Sequence, residues 1–480
     1  MRTLLLPCET RVREFDAKLL LACSAAAAGL VAVVGSKKVM DLNLDRYPAG
    51  VYVGKSVTAR SRHNLRLARF CGHRLALWDE EGLVWASREV YWRTKVEGRT
   101  LAEPELLIAW GLENERAWRE HPEYAGTPVV AAGNPRTDLL RAELAGYFSE
   151  QQQAIEAEYG PFLLINTNFS RVNHDQPAQN RHLRWLREQR PDDPRGGFAA
   201  HKYQLFQAFK TMVPALAKAL PELNFVLRPH PSERHATWVE LTAGLPNVRV
   251  CADGNVIPWL RASRGLIHNG CTTALEGFVM GRPALAYMPV RSDAYDHPLP
   301  NGLSRQVDDL DALIHHSASM FAEPEQAFAQ QAAAGGAALL EQNLAGASGE
   351  LACGRIIAAL APLLNQAPAD ASCENQPRPA SFAPSAAARA LMFGRRRWWS
   401  LAQHVPGHGN YRGYVGRMFP AVSVEEVRDR VAAFARCLPD LSGLEVRELQ
   451  PSVFCLSRQE VAGLTGQAHS QQQESSSPVR

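Results

Sequence analysis

Strand-like and helix-like segments alternate through residues 1–150, and this alternation constrains the fold more than any other feature of the chain. Short apolar runs predict buried strands, and the longer stretches between them predict helices. The predicted strands are Thr3–Leu6, Leu30–Val34, Arg74–Trp78, Glu105–Trp110 and Pro128–Ala132, and the predicted helices are Glu14–Ala28, Arg60–Phe70 and Glu113–Glu120. Such a pattern favours a parallel sheet with helices on its faces.

A second series of the same kind follows the polar stretch Ser149–Gly160, which we interpret as the connection between domains. Its predicted strands are Phe162–Asn166, Asn224–Arg228, Asn247–Cys251, Gly265–His268 and Ala284–Tyr287, with helices at Ala199–Leu220 and Thr273–Met280. The sequence therefore predicts an α/β protein with two Rossmann-like domains, residues 1–150 and 151–365, facing across a cleft. Ligands in such sheets bind beyond the carboxyl ends of the strands.

The rest of the chain predicts a C-terminal region of different character. Residues 366–387 are rich in Pro, Ala, Ser and Gln, which is typical of a flexible linker. Residues 388–465 predict a helical extension in which Ser423 and Glu426 form a capping box. The polar residues 466–480 predict a disordered tail.

Charge and cysteine content limit the classes of function. A net charge of +3 over 480 residues argues against a nucleic-acid protein, which would neutralise many phosphates. Nine dispersed cysteines without a C-x-x-C pair predict reduced thiols in a cytoplasmic protein, not a zinc or disulfide framework. The apolar stretch Leu19–Gly35 is at the lower limit for a membrane span, and its β-branched second half favours a helix followed by a strand.

Three consecutive carboxylates, Asp79, Glu80 and Glu81, directly follow the predicted strand Arg74–Trp78. Crowded carboxylates raise one another's pKa, so one of them could act as a general base toward an acceptor hydroxyl. The alternative is an acidic loop that caps the next helix, and spacing alone does not separate the two interpretations.

The motif Arg228-Pro-His-Pro231 follows a predicted strand of the second domain. Two prolines fix the backbone of the turn, and both Arg228 and His230 can donate to a phosphate or protonate a leaving oxygen. An ordinary surface turn is the alternative, although the position at a strand end favours function.

The stretch from His268 to Glu276 runs from a predicted strand into a helix. A glycine turn, two hydroxyls and the free amides of the first helical turn together suggest an anion cradle. Its candidate nucleotide-binding residues are His268, Asn269, Gly270, Thr272, Thr273 and Glu276. Helix capping by Thr272 is the structural alternative and is compatible with phosphate binding.

Two further loops carry candidate substrate-binding residues. Arg136, in Gly133-Asn-Pro-Arg136, could meet an anionic ligand, although Asn-Pro beside Gly is a common turn signal. The first strand-to-helix loop, where an acceptor or a sugar carboxylate could bind, contains Glu9, Arg11, Arg13 and Asp16. Asp309 and Asp311 have D-x-D spacing but lie at an acidic helix start, so we predict neither a metal site nor a cofactor.

Six motifs together resemble the bacterial family of surface carbohydrate biosynthesis proteins over residues 1 to about 365. They are Leu5-Leu-Pro-Cys-Glu-Thr-Arg-Val-Arg-Glu-Phe-Asp-Ala-Lys18, Val34-Gly-Ser-Lys-Lys38, Asp79-Glu-Glu-Gly82, Gly133-Asn-Pro-Arg136, Arg228-Pro-His-Pro231 and His268-Asn-Gly-Cys-Thr-Thr273. That family is similar to GT-B glycosyltransferases, whose two Rossmann-like domains enclose a nucleotide sugar.

Within that fold, bacterial sialyltransferases and Kdo transferases carry a D/E-D/E-G motif, an H-P motif and a paired Ser/Thr motif. Glu80-Glu81-Gly82, His230-Pro231 and Thr272-Thr273 match them in order. The resemblance implies that Glu80 is the general base, with Asp79 and Glu81 as alternatives. It also implies that His230 contacts a CMP phosphate held by Thr272 and Thr273.

The leading functional hypothesis is transfer of a CMP-activated ulosonic acid, Kdo or a sialic-acid-like sugar, onto a surface polysaccharide or lipopolysaccharide. A CDP-glycerol-type polyol phosphate transferase and a non-catalytic glycan assembly protein are the alternatives. The predicted partners are a nucleotide-sugar donor and a glycan or lipid-linked acceptor. Peripheral contact with the inner face of the cytoplasmic membrane is a further hypothesis, carried by Arg395, Arg396, Arg397, Trp398 and Trp399; packing of this segment against the main body is the alternative.

Overall fold

A computed structural model of the chain describes residues 2–180, 183, 186, 194–365, 384–405 and 412–458. The predicted tail 466–480 and most of the predicted linker lie outside the described residues. Two separate sheets form the centre of the molecule.

The first sheet contains six parallel strands from the first 150 residues. They are β1 (Thr3–Cys8), β2 (Val31–Ser36), β3 (Gly50–Gly54), β4 (Arg74–Leu77), β5 (Leu106–Ala109) and β6 (Val129–Ala131). The helices of this part are α1 (Asp16–Ala27), α2 (Lys37–Leu42), α3 (Ala59–Phe70), α4 (Arg88–Lys95), α5 (Gly98–Leu101), α6 (Leu112–Arg119), α7 (Pro135–Asp138) and α8 (Ser149–Tyr159). Strand β1 is fully buried because it lies inside the sheet and is covered on both faces.

The second sheet has six strands, all parallel. They are β7 (Phe162–Asn166), β8 (Asn224–Arg228), β9 (Val248–Val250), β10 (Gly265–His268), β11 (Ala284–Tyr287) and β12 (Arg305–Val307). Its helices are α9 (Pro194–Ala219), α10 (His235–Leu241), α11 (Val256–Ala262), α12 (Thr273–Val279), α13 (Pro298–Gly302), α14 (Leu310–Ala322), α15 (Pro324–Gln331) and α16 (Ala337–Asn343). The next helix, α17 (Ala352–Asn365), packs its Ile356 and Leu360 into the core of the first sheet.

The C-terminal extension is not purely helical. After α18 (Ala386–Ala402), α19 (Arg412–Met418) and α20 (Val424–Cys437), it forms the antiparallel hairpin β13 (Leu444–Gln450) and β14 (Val453–Arg458). Strand β14 pairs with β2, so the hairpin extends the first sheet to eight strands. The capping box is present in part, since the Ser423 hydroxyl accepts from the backbone N–H of Glu426 at 3.1 Å.

The strand orders locate the ligand-binding edges. The parallel part of the first sheet has the order β2-β1-β3-β4-β5-β6, and the second sheet has the order β12-β11-β10-β7-β8-β9. These are the two common doubly wound orders, which place the switch points between β1 and β3 and between β7 and β10. The predicted fold class, two Rossmann-like domains in a GT-B-like arrangement, is confirmed.

The apolar stretch Leu19–Gly35 divides into α1 and β2, as its composition predicts. Nine of the twelve residues of α1 are buried, because the helix packs on the first sheet, including its β13–β14 hairpin, and against α17 and α20. Within the described part of the chain, no helix has both the length and the apolar character that a bilayer crossing needs.

Candidate functional site

Asp79 is a buried structural carboxylate. Its side chain accepts from the Tyr91 hydroxyl at 2.9 Å, and its backbone carbonyl accepts from Trp110 Nε1 at 2.6 Å. Burial raises the pKa of Asp79 to about 6, against the opposing hydrogen bonds. These contacts hold the loop after β4 against α4 and α6, and they leave Asp79 only 3% exposed.

Glu80 belongs to a buried charge network. Its Oε1 accepts from Trp78 Nε1 at 2.9 Å and lies 3.0 Å from Lys18 Nζ, while Oε2 is buried and has no partner among the described residues. Lys18 also bonds to Glu14 at 2.8 Å, and the carboxylates on both sides raise the pKa of the buried Lys18 despite its desolvation. Glu80 is therefore held in place by a permanently charged lysine.

The network continues through Lys55 to the surface of the cleft. Lys55 Nζ lies 2.8 Å from Glu14 and 2.5 Å from Glu9, whose side chain is half exposed. Lys18 and Lys55 both lower the pKa of Glu14, which overrides the effect of its burial. Five charged residues, Glu80, Lys18, Glu14, Lys55 and Glu9, are thus linked at the switch point of the first sheet. The sequence motifs did not indicate a role for Lys18 or Lys55.

Glu81 is the accessible carboxylate of the three, with 52% of its side chain exposed. Although partial burial favours the neutral acid, its ion pair with Lys95 and the charge of Arg13 lower the pKa of Glu81. The carboxylate therefore stays ionised at neutral pH and remains open to a ligand.

Arg13 lies where the two domains meet. The positive charge of Arg136, followed by partial desolvation, lowers the pKa of Arg13, while Glu81 and Glu276 oppose the shift. Arg136 itself bonds to Glu276 of α12 at 2.8 Å, so this ion pair crosses between the domains. Arg13 has no hydrogen bond or ion pair within the described ranges, which leaves its guanidinium available to an anion.

The Arg228-Pro-His-Pro231 turn faces the same region through His230. Burial, and then the charge of Arg13, lower the pKa of His230 to about 4. Its Nδ1 accepts from the backbone N–H of Ser232 at 3.2 Å, so the neutral ring carries its proton on Nε2 and can donate to a ligand. The turn is held by the buried Glu233, which accepts from the backbone of His230 and Phe169 and from Trp238 Nε1.

Arg228 has a structural role in this arrangement. Its guanidinium donates to the carbonyls of Asp253 and Gly254 at 2.9 and 3.2 Å and stacks over Trp259. Only 8% of the residue is exposed. The predicted phosphate contact would require breaking these bonds, so the structure places Arg228 in support of the β8 loop.

His268 is also engaged within the protein. Its Nδ1 accepts from the backbone N–H of Gly270 at 2.9 Å, and Nε2 lies 2.8 Å from Ser304 Oγ. Burial lowers the pKa of His268 to about 3, so the ring is neutral and shapes the loop. Gly270 has φ of +80°, a conformation that glycine adopts without strain, and it gives the loop its sharp turn.

The remaining cradle residues surround a polar, incompletely satisfied space. Both side-chain atoms of Asn269 and the Oε2 atom of Glu276 are buried without a partner among the described residues. The Thr272 side chain makes no capping hydrogen bond to α12, contrary to the structural alternative, and Thr273 contacts Cys271. Buried polar atoms of this kind require a partner such as water or a ligand.

Arg11 and Asp16 lie away from the cleft. Arg11 donates to the carbonyl of Ala421 at 3.0 Å and pairs with Glu426, and Asp16 pairs with Arg430. These contacts fasten the C-terminal extension to the first domain. The sequence-based grouping of these two residues with Glu9 and Arg13 as a substrate-binding set is corrected accordingly.

The basic segment of α18 contributes less free charge than its sequence suggests. Arg396 forms a two-point contact with Asp45 at 2.6 and 3.0 Å, and Arg395 donates to Asn64 at 3.0 Å. Trp399 is partly buried, whereas Arg397 and Trp398 are exposed. The segment therefore packs against the main body through two of its arginines.

Asp309 of the D-x-D sequence caps α14, because its carboxylate accepts from the backbone N–H of Ala312 at 2.7 Å. Within the described residues, no group of three or more His, Cys, Asp or Glu side chains is arranged to hold a metal. The second domain adds residues that the sequence did not reveal: Lys202 lies beside Asp296, and His297 Nδ1 donates to the carbonyl of Gly270 at 2.7 Å.

These contacts define the class of the molecule: two Rossmann-like domains whose ligand-binding edges share a polar, charged cleft. No protein-family profile matches the chain, and no curated protein sequence does so either. The family resemblance of the motifs therefore stays a prediction.

Solved structures of similar architecture are found at low identity. The complex of S. aureus MnaA with UDP is 12% identical, covers 76% of this chain and 97% of its own, and gives a TM-score of 0.47. The UDP-GlcNAc 2-epimerase from Neisseria meningitidis bound to UDP-GlcNAc is 14% identical, with 75% and 100% coverage and a TM-score of 0.47. The wall teichoic acid polymerase TagF is 9% identical, with 76% and 89% coverage and a TM-score of 0.45. At these values, the likeness carries no argument about substrate.

Proposed function

We propose that this protein is a glycosyltransferase that moves a CMP-activated ulosonic acid, Kdo or a sialic-acid-like sugar, onto a bacterial surface polysaccharide or lipopolysaccharide. The observation that carries the proposal is that Arg13, Glu81 and His230 lie within electrostatic reach of one another where the two domains adjoin. A free cation, an ionised carboxylate and a neutral hydrogen-bond donor are the three groups that such a transfer needs.

Each group has a distinct part in the proposed reaction. Glu81 accepts the proton of the acceptor hydroxyl as that oxygen attacks the anomeric carbon. His230 donates from Nε2 to the departing phosphate, whose other oxygens reach Thr272 and Thr273 of the β10 loop. Arg13 pairs with the carboxylate that distinguishes an ulosonic acid from a neutral sugar.

Glu81 replaces Glu80 as our choice of general base. Glu80 Oε1 is already occupied by Trp78 and Lys18, and its Oε2 is shielded from solvent. A base must reach the proton that it accepts, and Glu81 is the carboxylate of the triplet that is open to the cleft. Glu80 is a positioning residue in this scheme, and Asp79 holds the loop.

The first test is a nucleotide screen followed by turnover. CMP should raise the melting temperature of the protein more than CDP, UDP or GDP does, because a ligand of the native state stabilises it. With CMP-Kdo and a lipopolysaccharide acceptor, Glu81→Gln should lower the release of CMP by about 100-fold or more. The exposed Glu89→Gln on α4 is the matched control and should keep full activity.

Each alternative outcome is informative. Stabilisation by CDP in place of CMP, with transfer of a polyol phosphate, would replace the donor class. Full activity of Glu81→Gln beside an inactive, folded Glu80→Gln would return the role of base to Glu80. No release of nucleotide from any donor would favour the non-catalytic alternative.

A further inference from the structure

A cavity of about 800 Å³ lies outside the interdomain cleft. It opens between the first domain and the C-terminal extension. Residues of the first domain line one side, including Cys8 and Glu9 after β1 and Ser36, Lys37 and Lys38 after β2. A volume of this size accommodates a ligand of several dozen atoms.

The extension supplies an apolar wall. From α18 and α19 the cavity receives Leu391, Trp398, Trp399, Val415, Met418 and Phe419. Trp399 Nε1 is buried and has no hydrogen-bond partner among the described residues, so one polar donor is left within this wall. Gly394 also lines the cavity, and a Cβ added there would meet open space.

The opposite wall carries positive charge. Lys37, Lys38, His63 and Arg395 line it, against the acidic Glu9 and Asp41. Desolvation, with the neighbouring charges of Lys37 and Arg395, lowers the pKa of Lys38. Binding an anion here would relieve the repulsion between these cations.

One face of α18 extends the apolar wall to the outside. Leu391, Trp398 and Leu401 recur at helical spacing, Val405 follows just beyond the end of the helix, and each is more than half exposed. An apolar chain could follow this face into the cavity. At the inner end, Glu9 pairs with Lys55 at 2.5 Å and so connects the cavity to the charge network that holds Glu80.

We infer that this cavity binds an anionic amphiphile, an acyl or prenyl chain with a phosphate head, and that it receives the lipid-linked end of the acceptor. The assignment as an acceptor site rests on the proposed glycosyltransferase function. The chain lies against the tryptophan wall, and the head meets Lys37, Lys38 and Arg395. This arrangement brings the acceptor to the carboxyl end of β1, beside the interdomain cleft.

The test is direct binding of dodecyl phosphate below its micellar concentration to the full chain, measured by titration calorimetry. Inorganic phosphate supplies the head alone, and dodecyl maltoside supplies the same chain with a neutral head. We expect saturable binding of dodecyl phosphate, at least tenfold weaker binding of dodecyl maltoside, and no measurable binding of phosphate.

Gly394 offers a matched pair of variants. A Cβ at position 394 meets open space, so Gly394→Leu adds side-chain volume at the cavity wall and should weaken dodecyl phosphate binding at least tenfold, whereas Gly394→Ala should stay within about threefold of the parent. Both changes favour helix formation, so loss of fold does not explain a difference between them. Lys37→Gln combined with Lys38→Gln should remove the preference for the phosphate head.

The inference would be overturned if dodecyl phosphate bound the parent and Gly394→Leu equally well. It would also be overturned if inorganic phosphate bound as tightly as dodecyl phosphate, or if the protein bound anionic vesicles but not dodecyl phosphate. Nucleotide stabilisation, measured on the same samples, keeps the two proposals apart. Amphiphile binding without nucleotide stabilisation would sink the donor proposal and leave this cavity as a lipid site. The reverse result would sink the cavity inference alone.

Discussion

The two ligand-binding edges that meet in the cleft are built on opposite electrostatic plans. On the first domain, Glu14, Lys18, Lys55 and Glu80 form a continuous chain of ion pairs that is largely buried. On the second domain, His230, His268 and His297 are neutral, because burial lowers the pKa of each ring. One edge presents fixed charge, and the other presents neutral donors and unsatisfied amides.

This difference suits the two halves of a transfer reaction. The proposed general base must be ionised, and on the charged edge Lys95 and Arg13 favour the ionised form of Glu81. A leaving phosphate carries its own negative charge, so the edge that receives it needs hydrogen-bond donors and not carboxylates. In the proposed reaction, the positive charge that pairs with an anionic sugar comes from Arg13, at the boundary of the two edges.

The largest expected effect concerns the charged edge. Lys18→Met should destabilise the protein by about 3–5 kcal/mol, because it leaves Glu14 and Glu80 buried without their shared cation. Chemical denaturation followed by tryptophan fluorescence measures the change. Arg116→Met removes a surface partner of Glu113 and is the control, with an expected change below about 0.5 kcal/mol.

A small effect of Lys18→Met would show that Glu14 and Glu80 take up protons or water easily, and that the edge is not held by fixed charge. The triple change of Lys18, Glu14 and Glu80 to apolar residues sharpens the test. It should restore much of the lost stability, since removing all members of a buried ion network is often close to neutral.

The next effect separates the sugar from the phosphate. Arg13→Met should raise the KM for a CMP-linked ulosonic acid by about 10- to 100-fold, the value of a lost charge-assisted hydrogen bond. The affinity for CMP, which lacks the sugar carboxylate, should change little. Arg11→Met lies on the same loop but contacts the extension, so it should leave the KM unchanged.

An equal loss of CMP affinity in Arg13→Met would place its guanidinium on the phosphate, and the comparison between the two edges would then fail. Transfer of a neutral sugar, with the same KM in Arg13→Met and Arg11→Met as in the parent, would exclude an ulosonic acid as the donor sugar. Steady-state kinetics with the two arginine variants, measured at one ionic strength, distinguishes these outcomes.

The sequence predicts most of the strands that position the cleft, but it misses strands such as β3 and the β13–β14 hairpin. The β3 strand, Gly50–Gly54, is not among the predicted strands, although its Val51, Tyr52 and Val53 favour a strand, and it places Lys55 at the switch point. The β13–β14 hairpin alternates charged residues on its exposed face and becomes a strand pair because β2 offers an open edge. Tertiary pairing, more than local propensity, determines the hairpin.

Side-chain partners were the least predictable part of the site. Arg11 and Arg13 are two residues apart on one helical turn, so their side chains point in different directions. The sequence places them in one motif, but Arg11 contacts the C-terminal extension and Arg13 lies beside the cleft. Arg228 and His230 share one motif, yet Arg228 turns to carbonyls of the next loop and His230 turns toward the cleft. The acidic triplet follows the end of a strand, so the alternation of buried and exposed side chains along the strand does not predict which of the three carboxylates is exposed.

The smallest effect per residue comes from the neutral edge, as a dependence of stability on pH. Some histidines have a pKa in the folded protein that lies below the unfolded value of about 6.5. Such a histidine contributes its full stability above about pH 6.5, and this contribution is lost as the pH falls toward the folded pKa. Burial, with the nearby charge of Lys202, lowers the pKa of His297 to about 4. Between pH 7 and 5.5, its protonation in the unfolded state should cost about 1 kcal/mol of stability.

His297→Asn keeps a donor for the carbonyl of Gly270 and removes the titration, so its denaturation midpoint should fall less steeply with pH than that of the parent. His315→Asn, on an exposed position of α14, is the control and should leave the slope unchanged.

On the charged edge, Asp79 acts in the opposite sense, because its pKa is raised to about 6 and acidification in this range favours its folded state. An unchanged slope in His297→Asn would show that this histidine is not the neutral group on which the contrast between the edges depends.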